Sequence, residues 1–95
     1  MEPSEAARLL ETGVDLYRTG DFQEAVEFLK QGLDRKEDDW TARLYLGMAY
    51  YGIGRVALAR VEFRRILDEC LDRDLRLKAA SALAATNPEI KRDQF

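Results

Sequence analysis

The side chains that most often transfer protons, attack substrates or bind metals are scarce in this 95-residue chain. It contains no histidine and one cysteine, Cys70. Without histidine, an imidazole proton shuttle and a histidine metal site are excluded. One thiol does not build a zinc or iron–sulfur site, and the place of Cys70 on a helical stripe predicts a buried small hydrophobe. The sequence therefore predicts no metal ion and no cofactor.

Carboxylates are the remaining candidates for acid–base chemistry, because the chain holds 18 aspartate and glutamate residues. The adjacent pairs at 38–39 and 68–69 fall at predicted helix starts or exposed helix ends, where capping and solubility explain them. The glycine-containing run at 52–55 lacks the preceding strand that a phosphate-binding loop needs. We therefore predict that the protein is not an enzyme.

Charge is distributed unevenly between the two parts of the chain. Residues 1–39 carry five basic and eleven acidic groups, for a net charge of −6, whereas residues 40–95 carry ten and seven, for +3. Two ordinary solvated faces explain this difference, and so does attraction between opposite ends or to an extended partner. The arginines near residue 60 are interleaved with acidic residues, so the pattern does not predict nucleic-acid binding.

The apolar residues are distributed as in a water-soluble domain. They make up 46% of the chain, and no run approaches the roughly 18 residues of a membrane span. The N-terminus lacks the basic start and apolar stretch of a signal peptide. A single cysteine suits a reducing compartment. We therefore expect a cytoplasmic protein without membrane contact.

Periodicity and glycine positions predict five helices. They run from about Ser4 to Thr19, from Phe22 into the polar run at 35–39, from Trp40 to Ile53, from Val56 to Leu71, and from about Asp74 to Asn87. Asp21 and Asp39 are predicted N-caps, the former with Glu24 as its capping-box partner. The apolar stripe of the fifth helix is predicted to consist of Leu77, Ala80, Ser81 and Ala84.

A 34-residue offset relates the first two helices to the next two. It pairs Gly13 with Gly47, Tyr17 with Tyr51, Gly20 with Gly54 and Ala25 with Ala59. A fixed period of this size indicates one supersecondary unit used repeatedly. Gly13 and Gly47 lie mid-helix, where glycine costs about 1 kcal/mol relative to alanine. We therefore predict a close helix–helix approach there, with the paired alanines on the partner helices.

These residues resemble the tetratricopeptide repeat, a 34-residue helix–turn–helix unit. The matching positions are Gly13, Tyr17, Gly20-Asp21-Phe22, Ala25 and Leu33 in the first unit, and Leu46-Gly47, Ala49-Tyr50-Tyr51, Gly54, Ala59 and Phe63 in the second. The resemblance covers residues 6–73. It departs from the family pattern where Arg43 replaces an aromatic residue and where the proline near the end of each unit is missing.

The resemblance implies an all-α fold, a right-handed helical-repeat solenoid of two helix–turn–helix units plus a C-terminal capping helix. The units are expected at about 6–39 and 40–73 and the capping helix at about 74–86. Together they form one domain over residues 1–87, and a tail at 88–95 follows.

The resemblance also implies a function, because the first helix of each family unit lines a concave groove that contacts ligands. Carried over to this chain, the groove residues are Leu10, Val14, Tyr17, Leu44, Tyr45, Met48 and Tyr51. We therefore expect a non-catalytic adaptor that binds a protein or peptide partner in the groove. Because the groove positions are apolar, the partner is expected to supply an amphipathic helix or an extended apolar segment.

Two other interpretations of the same residues stay open. In the first, the apolar groove residues only pack between neighbouring helices, because a small stack needs every apolar contact. In the second, the chain is a small self-associating scaffold module whose apolar stripe forms a homodimer interface. Stacks of this kind generally need three or more repeats for stability, and this chain has fewer.

Overall fold

The computed structural model describes residues 3–86, which fold into five α-helices without a strand among them. The helices are α1 (Glu5–Arg18), α2 (Phe22–Arg35), α3 (Trp40–Gly52), α4 (Val56–Glu69) and α5 (Arg73–Ala85). The all-helical prediction is confirmed. None of the described helices combines the length and apolarity that crossing a membrane requires. The tail predicted at 88–95 and the helix end predicted at Asn87 lie outside the described residues.

Side-chain caps begin three of the helices. The hydroxyl of Ser4 accepts a hydrogen bond from the amide of Ala7, and the carboxylates of Asp39 and Asp72 accept in the same way from residues three positions later. Such a cap satisfies one of the unpaired amides at a helix start. The capping box predicted for α2 is wrong, because the Asp21 carboxylate instead accepts a 2.8 Å hydrogen bond from the Thr19 hydroxyl.

The turn inside each unit has the same hydrogen bonds at the 34-residue offset. Gly20 and Gly54 have φ angles of +88° and +81°, a region that glycine enters without steric cost. After each glycine the next amide reaches back into the helix: Asp21 donates to the Leu16 carbonyl and Arg55 to the Tyr50 carbonyl, both at 2.8 Å. The predicted helix ends at both glycines are therefore confirmed.

The helices pack in two layers. Each helix contacts the next in chain order, and α3 also contacts α1 and α5. The helices α1, α3 and α5 therefore form one layer, with α2 and α4 behind them. The core lies between the layers, and its most completely buried large side chains are Leu29, Phe63, Ile66 and Cys70. The burial predicted for Cys70 is confirmed.

The mid-helix glycines allow the two helices of each unit to approach closely. A Cβ atom added to Gly13 would lie 2.6 Å from Leu29 Cγ, and one added to Gly47 would lie 2.5 Å from the Phe63 ring. The predicted close approach is confirmed. The side chains that fill the space are Leu29 and Phe63. Each lies four residues after the alanine, Ala25 or Ala59, that the sequence pattern predicts there.

The predicted apolar stripe of α5 is wrong. Leu77, Ala80, Ser81 and Ala84 are exposed, whereas the opposite side, with Leu75, Ala79, Ala82, Leu83 and Thr86, packs against the other helices. Both sides of α5 carry apolar or small residues, so periodicity does not determine which side faces the core.

Arginines connect the layers at two junctions. Arg43 on α3 donates to Glu62 Oε1 on α4 at 2.9 Å and to the Glu37 carbonyl at 3.0 Å. At the last helix pair, Arg60 on α4 donates to the Thr86 hydroxyl at 3.0 Å, and Arg76 on α5 donates to the carbonyls of Leu67 and Cys70. Each of these two helices therefore supplies an arginine to the C-terminal end of the other.

Candidate functional site

The layer of α1, α3 and α5 carries three depressions on its surface, which we call the α1–α3–α5 face. One depression, of about 420 Å³, lies between α1 and α3 and is lined in part by Leu10 and Val14. A second, of about 460 Å³, lies between α3 and α5 and is lined in part by Leu44, Tyr45 and Met48. A third, of about 210 Å³, is described below. Helical repetition places them side by side, because α1, α3 and α5 are successive first helices of the units.

The third depression is the most apolar of the three. Tyr17, Met48 and Tyr51 form its walls, the buried Phe63 ring contributes to its floor, and Ala82, Ala85 and Thr86 of α5 and its C-cap close it. All seven residues predicted for the groove therefore line one of the three depressions. The structure brings them onto one face from two helices that are 34 residues apart.

Tyr17 is the residue that connects the aromatic side chains of this face. Its ring centroid lies 5.3 Å from that of Phe22 and 5.4 Å from that of Tyr45, in tilted and edge-to-face arrangements. Its hydroxyl donates to Met48 Sδ at 3.8 Å. Arg18 lies over the Tyr45 ring, 6.0 Å from the centroid. These contacts hold the wall of the third depression in place without a bound partner.

The seven predicted residues differ in how much surface they offer. Tyr51 is 48% exposed, and Val14, Tyr17, Tyr45 and Met48 are partly buried. Leu10 and Leu44 are buried, and Leu10 packs against Gly32, where an added Cβ would lie 2.4 Å from Leu10 Cδ2. The accessible surface therefore belongs to the aromatic residues and methionine, while the two leucines support it from beneath.

The sequence interpretation missed the contribution of α5. Leu75 and Ala82 line the second depression, and Ala82, Ala85 and Thr86 line the third. The signal was available, because the 34-residue offset relates Leu75 to Thr41, Ala82 to Met48 and Ala85 to Tyr51. The expectation that α5 is a capping helix left these residues out of the predicted groove.

Charged residues surround the apolar depressions. Several acidic side chains are already engaged: Asp15 lies 3.8 Å from Arg18, Asp74 lies 3.7 Å from Lys78, and Asp39 and Asp72 cap helices. Glu11, which lines the first depression, is exposed and makes no ion pair with the described residues. The lining of the first depression includes Glu11, Asp15 and Asp39 against Arg18 and Lys36, so the α1 side of the face is slightly acidic.

The arrangement offers binding surface and little reactive chemistry. Within residues 3–86, no group of cysteine, aspartate and glutamate side chains is placed to hold a metal ion. Burial and, to a smaller extent, the negative charge of Glu62 raise the pKa of Tyr50. Tyr50 lies on the α4 side of α3 and lines none of the three depressions.

A comparison with protein-family models matches residues 10–73 to the model described as tetratricopeptide repeat. The matched region comprises α2, α3 and α4 and the part of α1 from Leu10 onward. No significant match was found among curated proteins or among solved structures.

Proposed function

Because this chain belongs to the tetratricopeptide repeat family, whose repeats generally mediate protein–protein interactions, we propose that it is a non-catalytic adaptor. It binds an amphipathic helix or an extended apolar segment of a partner protein on the α1–α3–α5 face. The observation that carries the proposal is the third depression, where partly exposed Tyr17, Met48 and Tyr51 surround an apolar recess. Tyrosine and methionine are enriched at protein interfaces and adapt to different partners.

The size of the third depression fits one apolar anchor of a partner. Its volume of about 210 Å³ accommodates a single large side chain such as leucine, phenylalanine or tryptophan. Two larger depressions continue the surface along the layer. One is lined in part by Met48 and the other in part by Val14, and residues that flank the anchor in the bound segment lie over them. The acidic α1 side favours basic residues at one end of the bound segment.

The rest of the proposal follows the sequence interpretation. We retain the domain over residues 1–87, with units at 6–39 and 40–73 and a capping helix at 74–86, and a right-handed sense of the stack. The cytoplasm remains the proposed compartment, and neither nucleic acid nor a membrane is a proposed partner.

The experiment is a peptide-display selection on the purified protein, after which the affinity of the selected peptides is measured for the wild type and for the Tyr51→Ala variant. We expect the selected peptides to contain an apolar anchor with basic residues nearby. Their affinity should fall about 30-fold on Tyr51→Ala, the equivalent of about 2 kcal/mol for a central anchor. The matched control is Leu58→Ala, which removes a comparably exposed side chain, 45% exposed, from α4 on the opposite layer.

Two outcomes contradict the proposal. In one, the selected peptides bind Tyr17→Ala, Met48→Ala and Tyr51→Ala as tightly as the wild type, so that the partner uses another face. In the other, these variants lose their helical circular-dichroism signal, so that the side chains belong to the core. Melting curves recorded beside the binding data separate loss of binding from loss of fold.

Self-association is a second candidate function, favoured by the outer surface of α4. Leu58 and Val61 are exposed there, 45% and 57%, at positions where the first unit carries Glu24 and Glu27. An apolar pair at otherwise acidic surface positions is typical of an interface. Sedimentation equilibrium at tens of micromolar would show a dimer that Val61→Glu dissociates, whereas a monomer throughout would leave only the adaptor.

A further inference from the structure

The third depression lies where the C-terminal ends of three helices meet. Tyr17, Tyr51 and Ala85 line it from equivalent positions at the 34-residue offset, and each is the last or next-to-last residue of its helix. Alanine at the third of these positions lacks the ring that the tyrosines carry, so α5 and its C-cap contribute only small side chains to the wall. The recess therefore has room for one further apolar side chain beside the end of α5.

The chain leaves α5 at the wall of this recess. Thr86, the C-cap of α5, lines the recess and is buried. Its hydroxyl accepts a 3.0 Å hydrogen bond from Arg60 and donates a 2.7 Å hydrogen bond to the Leu83 carbonyl. These bonds fix the point from which residues 87–95, which we name the C-terminal segment, continue. The C-terminal segment therefore begins beside the third depression.

The C-terminal segment has the residue types that the face is proposed to bind. Ile90 is its large apolar residue closest to Thr86, and Lys91 and Arg92 follow directly. This is an apolar anchor with basic residues beside it, the same pattern that we expect in peptides selected on the α1–α3–α5 face. The chain thus carries a candidate ligand for its own recess.

The length of chain after Thr86 distinguishes the third depression from the exposed side of α5. Ile90 is four residues further on, a distance of at most about 14 Å when extended. The recess is one side chain wide and starts at Thr86, so it is well within reach. Leu77, the large exposed residue of α5, lies nine residues back along the helix, about 14 Å. Only a fully extended connection would bring Ile90 there, and Asn87-Pro88 favours a turn.

Charge at the helix ends also suits the C-terminal segment. The carbonyl end of a helix is partially negative and is stabilised by nearby cations. Arg18 lies in the last turn of α1, and Arg60 donates to the Leu83 carbonyl near the end of α5 at 3.4 Å. The last turn of α3 has no basic residue, and among the described residues no arginine or lysine side chain donates a hydrogen bond to it. Lys91 and Arg92 can supply this cation.

We propose that the C-terminal segment binds the third depression of its own chain, with Ile90 as the anchor, and competes there with the partner. This regulation rests on the proposed function of the α1–α3–α5 face. A second copy could offer the same residues, but a short connection gives the chain's own segment an effective concentration near millimolar. At tens of micromolar protein, the intramolecular contact is therefore favoured.

The first test measures occupancy of the recess in the full chain without any peptide. Isoleucine and methionine methyl groups are labelled with carbon-13, which gives few signals because the chain has three isoleucines and two methionines. We expect nuclear Overhauser effects (NOEs) from the Ile90 methyl to the Met48 methyl and the Tyr51 ring. Ile90→Asp should change the Met48 methyl shift, because a charge is not accepted in an apolar recess. Phe95→Asp, the matched control, should leave that shift unchanged.

The second test measures competition. Peptides selected on the face should bind Ile90→Asp about tenfold more tightly than the wild type, the value expected if the segment leaves the recess free in about one molecule in ten. Lys91→Glu with Arg92→Glu should also raise the affinity, by a smaller factor, because the helix-end charge then repels the segment. Phe95→Asp should leave the affinity unchanged. Equal affinity for the wild type and Ile90→Asp would contradict competition.

The occupant is wrong if the Ile90 methyl shows no contact with Met48 or Tyr51, or if it contacts Leu77 instead. It is also wrong if the contacts appear only as a dimer forms with rising concentration, since the segment then comes from a second copy. The two proposals fail separately. Tyr51-dependent peptide binding without Ile90 contacts leaves the adaptor and removes this inference. Ile90 contacts in a protein whose variants bind no peptide leave the intramolecular contact and remove the adaptor.

Discussion

Arg43 and Glu62 form a buried ion pair between α3 and α4, with 2.9 Å between Nη1 and Oε1 and side-chain exposures of 6% and 16%. Arg43 also lies over the Trp40 ring, 5.5 Å from the centroid, and bonds to the Glu37 carbonyl. Its Nε is buried and has no hydrogen-bond partner among the described residues. Arg43 thus occupies a position where the tetratricopeptide repeat pattern has an aromatic residue. Its guanidinium joins the end of the first unit to both helices of the second.

The first prediction concerns removal of one member of this pair. Glu62→Ala should destabilise the protein by about 3 kcal/mol, because it leaves the Arg43 charge buried without its partner. Urea unfolding followed by circular dichroism measures the change. Glu69→Ala is the matched control: it breaks the Arg65–Glu69 pair, equally short at 3.0 Å but 40% and 51% exposed. We expect a change below about 0.5 kcal/mol there.

Replacement of both members should recover most of the loss. Arg43→Leu with Glu62→Leu substitutes apolar contact for the ion pair, and buried pairs often tolerate such exchange without net cost. A double variant as unstable as Glu62→Ala alone would mean that the lost stability came from packing at Glu62 and not from the unpaired charge.

The second prediction concerns alkaline pH. The pKa of Tyr50 is raised above 10.0, first by burial and second by the charge of Glu62. The folded state therefore holds the phenol proton more tightly than the unfolded state. This stabilisation is complete below pH 10 and is lost as the pH rises through the folded pKa. The melting temperature should fall between pH 9 and 11, and Tyr50→Phe should reduce the fall. An identical fall in Tyr50→Phe would contradict the assignment to Tyr50.

The third prediction concerns the close approach at Gly47. Gly47→Ala should destabilise the protein by about 1 kcal/mol, because overpacking against the Phe63 ring outweighs the better helix propensity of alanine. The same substitution in a Phe63→Ala background should be neutral or stabilising, since the ring is gone. A double-mutant cycle by chemical denaturation measures this coupling, and additive effects would contradict the assignment.

The fourth prediction distinguishes a buried side chain that supports the α1–α3–α5 face from one that is exposed on it. Leu44→Ala should lower the free energy of unfolding by about 2–4 kcal/mol, because the Leu44 side chain is buried. Tyr51→Ala should lower it by less than about 1 kcal/mol, because the Tyr51 side chain is half exposed. Thermal melts of the two variants measure the difference. If Tyr51→Ala melts as early as Leu44→Ala, Tyr51 is a core residue and is unsuitable as a partner contact.

The fifth prediction concerns the end of α5. Arg60→Ala should cost about 1 kcal/mol and speed amide hydrogen exchange in the last turn of α5, because the Thr86 hydroxyl and the Leu83 carbonyl lose their guanidinium donor. Arg64→Ala, an exposed arginine one turn further along α4, is the control and should leave exchange in α5 unchanged. Unchanged exchange in both variants would show that α5 is held by its apolar contacts alone.

Local features of the sequence were sufficient to predict the helices and their ends. Gly20 and Gly54 each require a left-handed backbone, which marks a turn regardless of what surrounds it. The 34-residue period then predicted that equivalent helices pack alike. The resemblance to the tetratricopeptide repeat implied that Leu10, Val14, Tyr17, Leu44, Tyr45, Met48 and Tyr51 share one face, and each of them lines a depression there. A regular period carries this information because repeated units must bury the same side against the same neighbour.

Contacts between distant residues were not predictable in the same way. No sequence pattern pairs Arg43 with Glu62, 19 positions away, or predicts that Phe63 and not Ala59 packs on Gly47. Which atoms meet depends on the crossing of the helices and on side-chain length. The spacing of residue types determines neither the helix crossing nor which atoms come into contact.

The sequence by itself determined the five helices and the two turns, because each depends on backbone geometry and a short period. Only the tertiary structure decided which side of α5 is buried. Both sides of that helix are apolar or small, so either could face inward. Packing against α3 and α4 selected Leu75, Ala79, Ala82 and Leu83, and left Leu77, Ala80 and Ala84 exposed. Burial is a property of the neighbour as well as of the residue, and among the described residues no helix occupies the position beyond α5 that α4 fills beside α3.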